Sequence, residues 1–391
     1  MGSKGKRARG AAKPTVTRRR VAPLPRRPLD VPPPKAAGAP ATDRTYVGRD
    51  PDSYDFETIR YEKGGGRATV TLDRPEALNA VNGQMLEELN RALKDASWDD
   101  AVGVVILTGS GDRAFCTGAD LKEQEQFLDR PRDYWKWMGE FIEVHERLRN
   151  LGKPTIARLN GIVVGGGNEF NLSCDLSIAA DDIYIRHVGT SHGSVALAGA
   201  TQFLPLVIGE RRAREMLLLN EPISAHQAYE WGLVNTVVPR EDLDEAVDEL
   251  VEKLLDKFPE KTRYTRQQLN FWRDLSWAMT IGHGRDWLAL HNTSPETREG
   301  VQAFLEKRTP DYRAIRERWA EDRAPEWIGG VIPSEERPVP PEPAQPKRRA
   351  GGKGAKPAAP PRVPARTKLA PKAKPKTKAP AGSKRGRKGR R

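Results

Sequence analysis

A short apolar stretch, Thr155 to Leu159, leads through Asn160-Gly161-Ile162-Val163-Val164 into three consecutive glycines, Gly165 to Gly167, and a helical pattern starts straight after them. A strand that hands over to a helix across residues without β-carbons can bring its backbone very close to a ligand. The helix N-terminus that follows presents free N–H groups and a partial positive charge. Glu169 lies three residues beyond Gly166, about one helical turn along, on the side of that N–H. A donor for a developing oxyanion beside a carboxylate that moves a proton makes a catalytic pair. The plainer reading is a tight strand-to-helix turn with a surface glutamate, and this window alone leaves both open.

The same order occurs a second time. Val102 to Leu107 reads as an apolar strand and Thr108 to Arg113 as a polar loop. Ala114-Phe115-Cys116-Thr117-Gly118-Ala119-Asp120-Leu121-Lys122-Glu123 is then another small-residue turn that opens a helix. Upstream, Asp55 to Tyr61 and Arg67 to Leu72 alternate as two strands joined at Gly64-Gly65-Gly66. Asn82 caps a helix bearing Met85, Leu86, Leu89 and Leu93, and Arg132 to Asn150 is a long helix with Trp135, Trp137, Phe141 and Leu148. Leu176 to Ala180 and Tyr184 to Val188 read as strands, Thr190 to Ala200 as a loop that turns into a helix, and Leu233 to Val238 as a strand. Residues 241–258 carry Leu243, Val247, Leu250, Val251 and Leu254 on one stripe of an amphipathic helix. From Pro259 the strand signals cease. Helices are expected over 262–275, 284–307 and 310–321, with Trp272, Trp277, Trp287 and Trp319 docking onto the core or onto another subunit. The pattern predicts an α/β core of repeated β-β-α units followed by a helical section.

Charge divides the chain differently. Residues 1–40 hold 11 Lys and Arg against one acid, and residues 337–391 hold 19 against one. Of the 66 basic and 53 acidic residues this leaves 36 against 51 in between, so the +13 belongs to the ends and the middle is formally −15. Both ends are rich in Pro, Ala, Lys and Arg with few large apolar residues, a composition that predicts disorder. Runs such as Lys384-Arg385-Gly386-Arg387-Lys388 suit nonspecific binding of nucleic acid or another polyanion, or contact with the acidic middle. The two cysteines, Cys116 and Cys174, with no secretory apolar segment and no run near the roughly 18 residues that span a bilayer, predict a soluble cytoplasmic protein without disulfides. No metal-ligand spacing is visible.

Several pieces in this order resemble the crotonase (enoyl-CoA hydratase/isomerase) superfamily: Asp73-Arg74-Pro75-Glu76-Ala77-Leu78-Asn79-Ala80, the Ala114 to Glu123 run, Gly165-Gly166-Gly167-Asn168-Glu169, Gly199-Ala200-Thr201-Gln202 and Ile223-Ser224-Ala225. The resemblance covers residues 54–258. It implies a crotonase-like spiral of β-β-α units, a helical C-terminal section used in trimerisation, and an acyl-CoA substrate whose coenzyme A is part of the substrate, with no permanently bound cofactor. By that mapping the backbone N–H groups of Ala119 and Gly166 form an oxyanion hole, and Glu169 is the first of the two glutamates that hydratases use. Glu76, Ala77, Asp120 and Leu121 would line the coenzyme A path, with Gly165 and Gly189 also beside the bound ester.

The second hydratase glutamate is missing, because Gly189 stands at its position. One carboxylate must then both activate the water and protonate the α-carbon, or another group must help. His192, in a small-residue loop, is the candidate to relay a proton or hold a water; its alternative is a structural loop histidine. His187 sits in a strand pattern, which favours a structural place, as do the settings of His145, His226, His283 and His291. The stretches His192-Gly193-Ser194, Gly199 to Pro205 and Trp287-Leu288-Ala289-Leu290 further resemble ring-opening hydrolases of 6-oxocyclohex-1-ene-1-carbonyl-CoA. Those enzymes hydrate the enoyl bond and then cleave the ring C–C bond beside the ketone, with the same lone glutamate. This chain departs from them at Ala119-Asp120 and Gln202 and lacks an insertion after Pro239. The resulting division is a basic tail at 1–50, a crotonase-like core at 51–258, a helical trimerisation section at 259–332 and a second tail at 333–391. The expected assembly is a homotrimer or hexamer. Competing readings are an ordinary enoyl-CoA hydratase or isomerase, or a crotonase-fold protein that binds RNA or DNA through its tails.

Overall fold

The computed structural model describes residues 48–321, and the basic tails read from the sequence lie outside them apart from residues 48–50. Two sheets share the strands of each repeat. β1 (Ile59–Gly64) and β2 (Arg67–Leu72) form an antiparallel hairpin, followed by helix α1 (Gly83–Trp98), whose Asn82 cap accepts from Met85 N at 3.0 Å. Three repeats follow. The first is β3 (Val104–Gly109), β4 (Ala114–Cys116), α2 (Leu121–Gln124) and α3 (Pro131–Asn150). The second is β5 (Thr155–Leu159), β6 (Ile162–Val164) and α4 (Gly166–Ser173), and the third is β7 (Leu176–Ala180), β8 (Tyr184–Arg186), α5 (Leu204–Ile208) and α6 (Glu210–Leu219). β9 (Ile223–Ser224), α7 (Ala225–Trp231), β10 (Thr236–Val238) and α8 (Leu243–Leu255) close the core.

In each repeat the first strand joins one sheet and the second strand the other. The six-stranded sheet runs β1-β2-β3-β5-β7-β10 and the four-stranded sheet β4-β6-β8-β9. From β2 to β10 the larger sheet is parallel, and β3 and β5 are buried nearly throughout, as parallel strands covered on both faces should be. In the smaller sheet β4, β6 and β8 are parallel, so their C-terminal ends lie side by side. The turns that leave those ends are the two small-residue turns read from the sequence and the segment that begins at His187.

The C-terminal section is helical as expected, with different breaks. One helix, α9 (Pro259–His291), runs through 33 residues where two were expected. Gly284 lies within this helix, where a β-carbon would overlap the Leu197 side chain. The break comes instead at Ser294, which caps α10 (Pro295–Leu305) by accepting from Thr297 N, with Pro295 in the first turn. α11 (Tyr312–Glu321) follows. Of the aromatic residues here, Trp277 is buried against Phe203 and hydrogen-bonds Glu146 Oε1 at 3.0 Å, whereas Trp272 is 68% exposed.

The Asp73 to Ala80 loop is tied to the core by Asn79, which is fully buried and holds a left-handed φ of 55°. Its Oδ1 accepts from Arg74 N (3.0 Å) and Ser110 Oγ (3.2 Å), and its Nδ2 donates to Ser110 O (3.1 Å) and Ala114 O (2.8 Å). Asparagine tolerates that φ better than most residues. An Asn79→Ala variant leaves buried backbone groups unpaired and should lose about 2–4 kcal/mol of stability. A lower urea midpoint with unchanged slope checks it.

Candidate active site

The parallel register sets Val163 beside both Cys116 and Ile185, and Val164 beside Arg186. Gly118 (φ 87°) and Gly165 (φ 53°) both take left-handed backbone, which glycine adopts without strain. The two turns touch: a β-carbon on Gly118 would lie 3.0 Å from Gly166 N. Val81 pairs with the first turn by donating to Gly118 O (2.8 Å) and accepting from Asp120 N (2.9 Å). In a parallel bridge of that pattern the intervening Ala119 N–H points away from Val81. Gly166 is the first residue of α4, so its N–H has no partner within the helix. Two backbone N–H groups that neither the Val81 bridge nor the α4 ladder takes up therefore stand on adjoining turns.

A cavity of about 680 Å³ opens beside these turns. Glu76, Ala77, Ala119, Asp120, Leu121, Gly165, Gly166, Glu169, Gly189 and His192, all expected from the sequence, line it. Asp120 is already engaged: its Oδ2 takes Arg74 Nη2 at 2.8 Å and its Oδ1 takes Lys122 N at 3.0 Å. It shapes the rim as a cap and an ion pair. The sequence reading missed the opposite wall, where Tyr134, Trp137, Met138 and Phe141 face the cavity from α3 and Leu288 and Phe304 from α9 and α10. The spacing of Tyr134, Trp137 and Phe141 along one helix face carried that signal.

Glu169 is 5% exposed, in the first turn of α4, and its Oε1 accepts from Leu197 N at 2.9 Å. It is not the surface glutamate of the plainer reading. Burial pushes its carboxyl up to about 7, against the opposing pull of the Leu197 N–H. Cys116 is pushed up to about 12 by burial, with Glu169 adding to the effect, so its thiol is inert at neutral pH.

Gly189 stands in a tight spot, where a side chain would need the neighbouring backbone to give by a few tenths of an ångström. A β-carbon there would lie 3.1 Å from Ser194 O and 3.2 Å from Ala196 N. The same segment supplies the Leu197 N–H to Glu169. His192 Nδ1 lies 3.2 Å from Val188 O and 2.9 Å from Ser191 Oγ, so its proton sits on Nδ1 and Nε2 is the remaining acceptor. Burial lowers its pKa. His145 is fully buried away from the cavity, with Nδ1 2.8 Å from Ser173 Oγ, and burial holds it down at about 3. His187 is different from its strand-like pattern: β8 ends at Arg186, and His187 turns onto the cavity wall.

α10 and α11 hold the loop that carries these groups. Thr297 Oγ1 donates to Gly193 O (2.7 Å), Tyr312 Oη donates to Ser191 O (2.9 Å), and a β-carbon on Gly300 would overlap the His192 carbonyl. Such contacts leave the loop little freedom.

A family model described as enoyl-CoA hydratase/isomerase matches residues 62–315, and the chain belongs to that family. Among solved structures, an enoyl-CoA hydratase from Mycobacterium avium subsp. paratuberculosis K-10 is 25% identical, with a TM-score of 0.60 over 66% of this chain and 98% of the other. One from Bacillus anthracis is 33% identical, with a TM-score of 0.52 over 66% and 99%. An enoyl-CoA hydratase/isomerase from Xanthobacter autotrophicus Py2 is 27% identical, with a TM-score of 0.59 over 69% and 99%. The mixed α/β architecture with parallel sheets and a helical C-terminal section is that of the crotonase fold. Among the described residues no helix is long and apolar enough to cross a membrane.

The raised Glu169 carboxyl predicts a sign for stability. Its folded value of about 7 lies above the ordinary 4.5, so between these values the folded state binds more protons than the unfolded state, and stability falls as pH rises. Above pH 7 the full cost of ionising a buried carboxyl is felt, on the order of 3 kcal/mol. Glu169→Gln keeps the acceptor for Leu197 N without the charge. It should gain stability over the native chain on going from pH 4.5 to 8, as read from urea unfolding at both values.

Proposed function

We propose that this chain adds water to an enoyl-CoA thioester, with Glu169 as the only carboxylate that moves protons and the N–H groups of Ala119 and Gly166 as the oxyanion hole. The observation that carries the reading is that Ala119 and Gly166, on adjoining turns, line one cavity together with the buried Glu169 carboxyl. Water attacks the β-carbon while the Glu169 carboxylate takes its proton. The π electrons move to the thioester oxygen, where the two N–H groups hold the enolate, an effect worth several kcal/mol. The proton on Glu169 then passes to the α-carbon, and the carboxylate is restored. A pKa near the working pH suits one group that must act first as base and then as acid.

A second reading, ring opening of a cyclic oxo-enoyl-CoA, gains support from Gly189, which brings no side-chain carboxyl to its part of the cavity lining. After hydration, a second water adds to the ring ketone carbon and the bond to the α-carbon breaks. The electrons again reach the thioester oxygen, so the same two donors serve both steps. His192 Nε2, as an acceptor, suits holding a water. In both readings coenzyme A arrives with the substrate, and exposed Lys122 at the cavity rim suits its phosphates.

Assembly is proposed on α9, where Leu269 (74% exposed), Trp272 (68%) and Met279 (75%) leave apolar surface for a second copy of the chain. Trp272→Glu should shift the sedimenting species toward monomer.

Glu169→Gln should lower turnover by roughly 10²–10⁴-fold while binding of the ester changes little. Mass spectrometry of the products separates the readings, since hydration adds one water, ring opening two and isomerisation none. Undiminished turnover in Glu169→Gln would sink the mechanism. With Glu169 acting first as the carboxylate, kcat/KM should fall about tenfold per pH unit below its value of about 7 and level off above it.

A further inference from the structure

His187 follows directly on β8, beside the turn at Gly165, and is 1% exposed. Its Nε2 lies 3.0 Å from Asn168 Nδ2. Asn168 is itself oriented by Asn171, whose Nδ2 donates to Asn168 Oδ1 at 3.1 Å, so the amide N–H faces the imidazole. A ring nitrogen that accepts is unprotonated, and the proton of neutral His187 is therefore on Nδ1. Burial keeps the ring neutral by lowering its pKa to about 4. Among the described residues Nδ1 has no protein partner, while the ring lines the cavity. Two buried asparagines thus fix the tautomer of a ring that lines the cavity and leave its Nδ1–H for a partner other than Asn168.

The thioester oxygen does not require this donor, because Ala119 and Gly166 supply two. Much of the facing wall is apolar, with Trp137, Met138, Phe141 and Leu288. A hydrocarbon acyl group that filled this space would leave the Nδ1–H dry and unpaired, which carries the full desolvation cost of the donor. An oxygen on the acyl group would pair it. Sites built around such a donor strongly reject analogues that lack the oxygen.

We infer that His187 is a specificity-determining hydrogen-bond donor to an oxygen on the acyl portion, so that the substrate class is oxygenated acyl-CoA, with a carbonyl or hydroxyl beyond the thioester. This rests on the acyl-CoA reading of the cavity. Adjacency ties recognition to chemistry: Asn168, which orients His187, is the residue before Glu169 on α4.

Calorimetry on the full chain carrying Glu169→Gln, which blocks turnover, tests it with pentanoyl-CoA, 3-oxopentanoyl-CoA and 4-oxopentanoyl-CoA. At least one oxo ester should bind on the order of tenfold tighter than pentanoyl-CoA. Adding His187→Leu should bring that ratio close to one, and adding His187→Gln, which retains an N–H donor, should preserve it. No preference with His187 in place, an unchanged preference in His187→Leu, or an equal loss for all three esters overturns the inference. The last of these outcomes marks a structural or water-holding role. Should His187→Leu fail to fold, ¹⁵N-histidine NMR of the protein with His187 intact decides: the Nδ1 resonance should move with an oxo ester and not with pentanoyl-CoA, and equal movement overturns it. If neither the esters nor free coenzyme A bind, the acyl-CoA reading itself falls.

Discussion

Parallel pairing of β4, β6 and β8 is the constraint on which the site depends. Parallel neighbours must end on the same side, so three turns distant in sequence leave the small sheet together. Ligands in open α/β sheets favour that edge for the same reason. The requirement for small residues follows, since the turns at Gly118 and Gly166 meet backbone against backbone. Each turn contributes something different: an N–H from the first, an N–H and the Glu169 helix from the second, and His187 from the third.

The carboxyl at the centre is governed by the elements around it. α4 is buried along nearly its whole length, which raises the Glu169 pKa, and the one backbone donor that opposes this comes from Leu197. Leu197 sits under Gly284 of α9, and its loop is pinned by α10 and α11. The C-terminal helices are therefore part of the surroundings of this cavity, through packing and through Leu288 and Phe304 on its wall.

Much of this was legible in the residues because it rests on local chemistry. Glycine runs, the Asn82 cap and the stripe along 241–258 all report short-range rules. What sequence hid depends on which elements meet. The sequence suggested a break between 275 and 284, yet α9 passes through, and Gly284 within it gives the Leu197 side chain its space. Asp120 matched a ligand-lining position, while its carboxylate serves Arg74. His187 belonged to a strand pattern until the strand ended one residue earlier. The Ser294-Pro295 break was readable as a cap followed by a first-turn proline, and the tryptophans nearby masked it.

The crowding around Gly189 has a bearing on how such a site changes over time or in the laboratory. A side chain at Gly189 would press on Ser194 O and Ala196 N, and the same backbone leads directly into Leu197, the residue that hydrogen-bonds Glu169. Any substitution at Gly189 is therefore coupled, through the Ser194 to Leu197 backbone, to the setting of the Glu169 carboxyl.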